Sequence, residues 1–157
     1  TRLGNGLISD DIRGLAVIPE GGTRRVFAAT NKGLHVSEDE GETWRMEPLD
    51  SPWQYTRTIQ PRADDSGVVF LTNGNGPPGS TGRLLRSRDF GRTWKDAGLP
   101  GELNSTPWCV ATHPSDPKLI FVVTNLGQLF RSRDGGERWE KLKREFGEVR
   151  SMLWQPG

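Results

Sequence analysis

Short stretches in which apolar and polar residues alternate recur along the chain, and glycine, proline, asparagine or aspartate bounds each of them. Runs of about four to eight such residues, rich in Val, Ile, Leu, Thr and aromatic side chains, are typical of β-strands. The predicted strands are 13–19, 25–30, 33–37 and 43–48, then 55–61, 68–72, 83–87 and 93–97, then 108–114, 119–124, 128–132 and 138–142. The pattern predicts an all-β protein built from three four-stranded antiparallel units.

One segment occurs three times, as SEDEGETW at residues 37–44, SRDFGRTW at 87–94 and SRDGGERW at 132–139. The shared positions are Ser37, Asp39, Gly41 and Trp44, then Ser87, Asp89, Gly91 and Trp94, then Ser132, Asp134, Gly136 and Trp139. The aspartate can accept hydrogen bonds from turn N–H groups, and the glycine permits a positive φ. The tryptophan then brings a large flat apolar surface to the next strand. Each copy therefore predicts a hairpin turn with a structural role.

The repeated segment resembles the Asp-box, or bacterial neuraminidase repeat, of sialidases, sortilin-type receptors, xyloglucanases and photosystem-assembly-factor-like proteins. In those proteins each box belongs to one four-stranded blade of a β-propeller and lies on the face away from the ligand pocket. The resemblance implies an Asp-box propeller portion with blades at residues 11–50, 53–100 and 106–145. Enzymes and binding scaffolds share this architecture, so the resemblance implies no single activity.

Residues 148–156 look like the first strand of one more unit, because Pro156 ends them as Pro19, Pro61 and Pro114 end the earlier first strands. Three blades and one extra innermost strand are too few for a propeller, which closes with about four to eight blades. We therefore expect the chain to resemble the C-terminal portion of a larger ring. A second chain or a second copy of this chain would complete that ring.

Alignment of the four first strands on their closing prolines places unlike residues at the expected ring mouth. Six positions before the proline lie Arg13, Tyr55, Trp108 and Arg150, and eight before it lie Asp11, Trp53, Thr106 and Glu148. Guanidinium groups suit carboxylate or phosphate, and aromatic faces suit a sugar or another planar group. The predicted ligand-binding residues are Arg13, Trp53, Tyr55, Arg57, Trp108 and Arg150. The alternative is that Asp11–Arg13 and Glu148–Arg150 are ion pairs at blade edges and that the rings pack between blades.

Two functions follow from this set. A non-catalytic scaffold would bind a partner, a carbohydrate or an acidic small molecule at the Arg/aromatic pocket. A sialidase-like or other glycoside hydrolase would have its site completed by the missing part of the ring, with Tyr55, Glu148 and Asp11 as the candidate catalytic residues. The Arg-Ile-Pro motif of sialidases is absent from the chain. We therefore favour the binding scaffold.

The charge balance and the cysteine content argue against several other classes of protein. Lys and Arg number 21 against 20 Asp and Glu, so no global field attracts nucleic acid or an acidic membrane. One cysteine and two histidines argue against a disulfide framework, a metal site or a metal cofactor, and we expect no other cofactor. The lone cysteine and the lack of a signal-like start favour the cytoplasm. The long Gly/Pro segment 73–82 is either a lid or partner contact, or a tolerated insertion.

Overall fold

The computed structural model describes residues 5–157, and every regular element in this range is a strand. The strands are β1 (Ile12–Glu20), β2 (Thr23–Thr30), β3 (Gly33–Ser37), β4 (Arg45–Met46), β5 (Tyr55–Pro61), β6 (Val69–Gly74), β7 (Gly82–Ser87), β8 (Lys95–Asp96), β9 (Pro107–Ala111), β10 (Ile120–Thr124), β11 (Gln128–Ser132) and β12 (Glu140–Glu145). They form three antiparallel four-stranded sheets in chain order, which we call blade 1 (β1–β4), blade 2 (β5–β8) and blade 3 (β9–β12). The predicted all-β fold of three such sheets is confirmed. Along residues 5–157 no helix has the length and apolarity of a membrane span.

Two apolar cores hold the blades together. The first lies between blades 1 and 2 and includes Phe27, Leu34 and Val36 on one side and Leu71 and Leu85 on the other. The second lies between blades 2 and 3 and is built from Phe70, Leu84, Val110, Val122 and Phe130, among others. Blade 2 is thus covered on both faces, which explains why every residue of β6 is buried. A strand buried on both faces needs apolar residues at consecutive positions, as in the run Val-Phe-Leu.

The outermost strands differ most from their predicted lengths. β4 and β8 contain only two residues each, Arg45–Met46 and Lys95–Asp96, all exposed. Predicted strands 43–48 and 93–97 are longer, because the sequence pattern does not show where cross-strand pairing ends. Short, charged edge strands oppose pairing with other chains. β12 begins and ends later than the predicted strand 138–142.

Each repeated segment folds into the same compact turn, which we call the repeat turn (residues 37–44, 87–94 and 132–139). In the first copy the amide of Gly41 donates to Ser37 Oγ (2.7 Å), and the hydroxyl of Ser37 donates to Asp39 Oδ1 (2.8 Å). The amide and hydroxyl of Thr43 donate to the two carboxylate oxygens of Asp39 (2.8 and 2.5 Å). The indole of Trp44 donates to the Gly41 carbonyl (3.0 Å). The hydrogen bonds from Thr43 lower the pKa of Asp39 to about 2.

The third copy keeps this arrangement although Arg138 stands in place of threonine. The Arg138 amide donates to Asp134 Oδ1 (2.9 Å), and its guanidinium Nε donates to Oδ2 (3.1 Å). The guanidinium thus replaces the missing hydroxyl donor. These bonds, the backbone one first, lower the pKa of Asp134 to about 2. The structure places the repeated pattern positions of all three copies within such turns, and of their tryptophans Trp94 and Trp139 pack against the apolar cores.

The structure differs from the prediction at residues 148–156, where no strand is assigned. The segment nevertheless lies along blade 3: the Val149 amide donates to the carbonyl of Asn125 (2.8 Å), and the Trp154 ring lies 5.2 Å from that of His113. A strand is defined by its hydrogen-bonded ladder, and no second strand of a further sheet is present beside this segment within residues 5–157. The segment therefore lies where a strand would lie but lacks the hydrogen-bonded ladder of a strand.

Candidate functional site

The repeat turns show which positions of the three blades are equivalent. The residue directly before the serine of each turn is Val36, Arg86 or Arg131. These residues pair across the sheet with Phe27, Phe70 and Phe121, respectively. The three phenylalanines therefore occupy the same position in successive blades.

The equivalence corrects the alignment on closing prolines. The partners of Phe27 and Phe70 on the first strands are Ala16 and Gln60. Pro19 follows Ala16 by three positions, whereas Pro61 follows Gln60 directly. The proline alignment is therefore wrong by two positions in blade 2. The reason is that Pro61 lies within β5, opposite Val69 and directly after the partner of Phe70, so a proline does not mark a fixed position of the first strand.

In the corrected register, Arg57 rather than Tyr55 is the counterpart of Arg13 and Trp108. The ladder between the first two strands is irregular at all three of these residues. A bulge leaves one residue unpaired and redirects its side chain, and such irregularities are common beside functional sites. Tyr55 then becomes the counterpart of Asp11 and Thr106.

Arg13 and its counterpart in the final segment, Arg150, are both paired with an acid two residues earlier. The Arg13 guanidinium donates to both oxygens of Asp11, at 2.6 and 2.9 Å. These bonds, with a smaller effect of the Arg57 charge, hold the pKa of Asp11 below its usual value. Arg150 donates to Glu148 at 3.2 Å, and both of these side chains are exposed. The ion pairs of the alternative interpretation are thus present.

Arg57 has no such acid, because Tyr55 stands two residues before it. Its guanidinium carbon lies 3.5 Å from the centroid of the Trp108 ring in blade 3. Within residues 5–157, Arg57 Nη1, the Tyr55 hydroxyl and Trp108 Nε1 are buried and have no hydrogen-bond partner. Guanidinium and indole N–H groups are donors only, and a phenol can donate. We call Asp11, Arg13, Tyr55, Arg57 and Trp108 the inner cluster.

Trp53 belongs to a different part of the surface. Its ring lies 5.7 Å from the guanidinium carbon of Arg83, and it lines a pocket of about 470 Å³ together with Asp96, Leu99 and Glu102, among others. Arg83 also donates to the carbonyl of Asp50 (2.9 Å). We call this the rim pocket. Arg83 is not among the predicted site residues, because a single arginine on a strand carries no distinguishing pattern.

The long Gly/Pro loop forms one wall of the rim pocket and is fastened to blade 3. Thr106 donates from its amide to the Pro78 carbonyl (2.9 Å) and from its hydroxyl to the Gly76 carbonyl (2.6 Å). The amide of Ser80 donates to Asn75 Oδ1 within the loop (2.9 Å). These bonds join the loop to the segment that enters blade 3, so it links two blades.

Asn73 is a second residue with a role near the site that was not predicted from the sequence. It is fully buried, and its amide group donates to the carbonyls of Trp53 (3.0 Å) and Tyr55 (2.8 Å). It therefore positions the segment that carries both aromatic rings. A signal for it exists in the sequence, since Thr-Asn occurs at the end of the second strand in every unit, at 30–31, 72–73 and 124–125.

The candidate catalytic residues Tyr55, Glu148 and Asp11 share no hydrogen bond with one another among residues 5–157. The Tyr55 hydroxyl has no hydrogen-bond partner, and Glu148 is paired with Arg150. A general acid needs a raised pKa, whereas that of Asp11 is lowered. Over the same range no group of three His, Cys, Asp or Glu side chains is arranged to hold a metal ion.

Comparison with known proteins shows to which family the chain belongs. The model of the family described as "Sortilin-Vps10: Sortilin, neurotensin receptor 3" matches residues 32–155. The chain belongs to this family. A vacuolar protein sorting/targeting protein 10 from Neurospora crassa is 30% identical over 90 residues, covering 57% of this chain. The photosystem II assembly lipoprotein Ycf48 from Synechococcus sp. is 27% identical over 115 residues, covering 73% of this chain.

The sortilin/Vps10-family chain spans only part of these proteins, 5% of the Neurospora protein and 32% of the Synechococcus protein. Among solved structures, YCF48 bound to D1 peptide superimposes with a TM-score of 0.64 at 19% identity, covering 92% of this chain and 45% of that chain. The GH74 enzyme of Niastella koreensis gives a TM-score of 0.64 at 21% identity, covering 81% and 22%. At these identities the likeness concerns the fold, which is that of a β-propeller portion.

Proposed function

We propose that the chain is a non-catalytic, partner-binding portion of a propeller and that it holds a carboxylate-bearing polypeptide at the inner cluster. The repeat turns would be Asp boxes with a structural role on the face opposite the ligand-binding site. The observation that carries the proposal is the unpaired guanidinium of Arg57, stacked on Trp108 with its Nη1 buried and without a hydrogen-bond partner among residues 5–157.

The chemistry of the inner cluster favours an anionic acceptor as the ligand. A buried donor left without a partner costs about 1–3 kcal/mol, and more if it is charged. Three such donors, on Arg57, Trp108 and Tyr55, are compensated best by oxygen atoms. A carboxylate can take two parallel N–H bonds from one guanidinium. The Trp108 ring under Arg57 limits the orientations of the guanidinium and so lowers the entropy lost on binding.

The relatives support a polypeptide as the ligand. The proteins similar to this chain include a vacuolar protein sorting/targeting protein and a photosystem II assembly lipoprotein. One of the similar solved structures shows YCF48 bound to a D1 peptide. GH74 propellers share the fold as well. The lowered pKa of Asp11 and the unpartnered Tyr55 hydroxyl give glycoside hydrolysis no support from the residues described.

The test uses two matched pools of soluble peptides. One pool carries Glu side chains and a free C-terminal carboxylate, and the other carries Gln and a C-terminal amide. We expect the chain to retain peptides from the acidic pool only, and Arg57→Gln to weaken that binding by roughly 10–100-fold, the equivalent of about 1.5–3 kcal/mol for a charged hydrogen bond. Arg88→Gln is the matched control, since Arg88 lies at a repeat turn and pairs with Glu137.

Equal retention of both pools would contradict the proposal, as would an unchanged affinity in Arg57→Gln. Assays on a sialoside and on a β-glucan belong to the same experiment. Turnover that disappears in Tyr55→Phe, with an unchanged melting temperature, would replace the binding function with hydrolysis.

A further inference from the structure

The rim pocket of blade 2 differs from the corresponding places in blades 1 and 3. Gly33, Arg83 and Gln128 are equivalent, since each lies four positions before the serine of its repeat turn. In blade 1 a side chain fills this place, because a Cβ on Gly33 would lie 2.8 Å from Cε of Met46. In blade 3 the Gln128 amide turns back and donates to the Glu102 carbonyl (3.1 Å). The cavity therefore depends on the sequence of blade 2 and not on the repeated fold.

The walls of the rim pocket are fixed by hydrogen bonds. Thr106 holds the long Gly/Pro loop on one side. On the other side, the buried side chain of Gln128 holds the backbone of Glu102. The carbonyl of Trp53 accepts from the buried Asn73 amide (3.0 Å). A ligand would therefore meet groups whose positions are already set, which lowers the entropy lost on binding.

The charges of the rim pocket leave one carboxylate unbalanced. Arg83 and Asp96 form an ion pair, with Arg83 Nε 3.5 Å from Asp96 Oδ2. The other acid of the lining, Glu102, is exposed, and its carboxylate has no ion pair or hydrogen bond among residues 5–157. One arginine and two acids give the lining a net charge of −1. This charge is complementary to a cation.

The Trp53 ring adds a surface that attracts cations and aliphatic groups. The side chain is only partly buried, and its ring centroid lies 5.7 Å from the Arg83 guanidinium carbon. The face of an indole carries negative potential and attracts a cation within about 6 Å of its centroid. Leu99 and Leu103 line the same cavity and offer apolar surface to methylene groups. Long basic side chains have both parts, an aliphatic stem and a charged end.

We infer that the rim pocket binds a basic side chain, that of lysine or arginine, from a polypeptide. The charged end lies beside Glu102, and the methylene groups lie against Trp53 and the two leucines. This site is separate from the inner cluster and does not depend on the ligand proposed there. Trp53 and Arg57 are four residues apart, so their Cα atoms lie at most about 14 Å from each other. One extended peptide of about five residues can therefore reach both sites.

The test is a titration of the nitrogen-15-labelled 157-residue chain, followed by NMR at the tryptophan indole N–H signals. The signal of Trp53 is identified by its loss in Trp53→Phe. The probe is the tripeptide Gly-Lys-Gly, capped at both ends. Its matched control is the same peptide acetylated on the lysine amino group, which removes the charge and keeps the methylene groups.

We expect the lysine peptide to shift the Trp53 signal saturably, with a dissociation constant in roughly the millimolar range, and the acetylated peptide to leave it unshifted. Glu102→Gln should weaken binding about three- to fivefold, as for an ion pair open to solvent. Glu42→Gln is the matched control, since Glu42 is an exposed acid at the first repeat turn, and it should leave the titration unchanged.

Arg57→Gln should bind the lysine peptide as the wild-type chain does, so failure of this inference can be told apart from failure of the proposed function. An equal shift with the acetylated peptide overturns the inference, and so does an unchanged affinity in Glu102→Gln. The absence of any shift of the Trp53 signal up to the solubility limit of the lysine peptide has the same meaning. A shift with cellobiose but not with the lysine peptide would identify a carbohydrate site and also overturn it.

Discussion

Replacing Phe70 by alanine should reveal how strongly the blades depend on one another. The Phe70 side chain is fully buried between blades 2 and 3, and its ring meets that of Trp139 edge-on at 6.0 Å. Its ring also fills the space in front of Gly136. Phe→Ala changes in closed cores cost roughly 3–5 kcal/mol, and an edge-on aromatic pair adds about 0.5–1.5 kcal/mol to what area alone explains. We expect a loss near the upper end of the first range.

Phe121→Ala is the matched control, since Phe121 occupies the same position one blade later. Its ring is partly exposed and lines a surface cavity of about 260 Å³ together with Leu119 and Arg131. Water already reaches this side chain, so its removal leaves no enclosed void. We expect Phe121→Ala to cost about 1 kcal/mol or less, near the range for surface changes. The two substitutions are chemically identical, and only the presence of a following blade distinguishes them.

The assay is urea unfolding followed by tryptophan fluorescence and by far-ultraviolet circular dichroism. Both signals are needed, because stacked repeats can unfold in steps, and coincident transitions justify a single free energy of unfolding. A domain has only about 5–15 kcal/mol of stability, so the Phe70→Ala midpoint should fall markedly. Equal losses in the two variants, or a loss below about 1 kcal/mol at Phe70, would refute the packing argument.

The repeat turns and the long loop give two further predictions. The pKa of Asp134 is about 2 in the folded chain against an ordinary 3.8, so its contribution to stability is complete above the ordinary value and is lost as the pH falls towards 2. Melting temperatures measured down this range should fall less steeply in Asp134→Asn, and parallel curves would contradict this. Thr106→Val removes the hydroxyl that holds the loop at Gly76, a bond worth about 1 kcal/mol. Hydrogen exchange should therefore accelerate at residues 75–81, and unchanged exchange there would show that the loop does not depend on this bond.

Much of the fold could be predicted because its determinants are local. The repeat turn is stabilised by hydrogen bonds among residues within four positions of one another, as between Ser37 and Gly41 or between Asp39 and Thr43. Alternation and turn residues also locate most strands to within one or two positions. The lengths of β4 and β8 could not be predicted, since an edge strand ends where its partner stops pairing.

The candidate site was predictable only as a set of residue types. Arg57, Trp108 and Tyr55 come together as expected, but the proline alignment gave Tyr55 the position that belongs to Arg57. Pro61 lies two positions earlier relative to the cross-strand pairing than Pro19 and Pro114 do, and nothing in the strand itself shows this shift. Trp53 lies in the rim pocket with Arg83, because Asn73 fixes the path of the backbone between the two aromatic residues.

The sequence by itself determined the all-β class, the three units and the turns that join their outer strands, because each depends on side chains close together along the chain. Only the tertiary structure decided which arginine is left without an acid and which tryptophan it stacks on. Arg57 and Trp108 belong to different blades, and their contact depends on blade packing and on two bulges. The burial of Phe70 is likewise a tertiary result, because its ring is enclosed only by residues of the neighbouring blade such as Trp139.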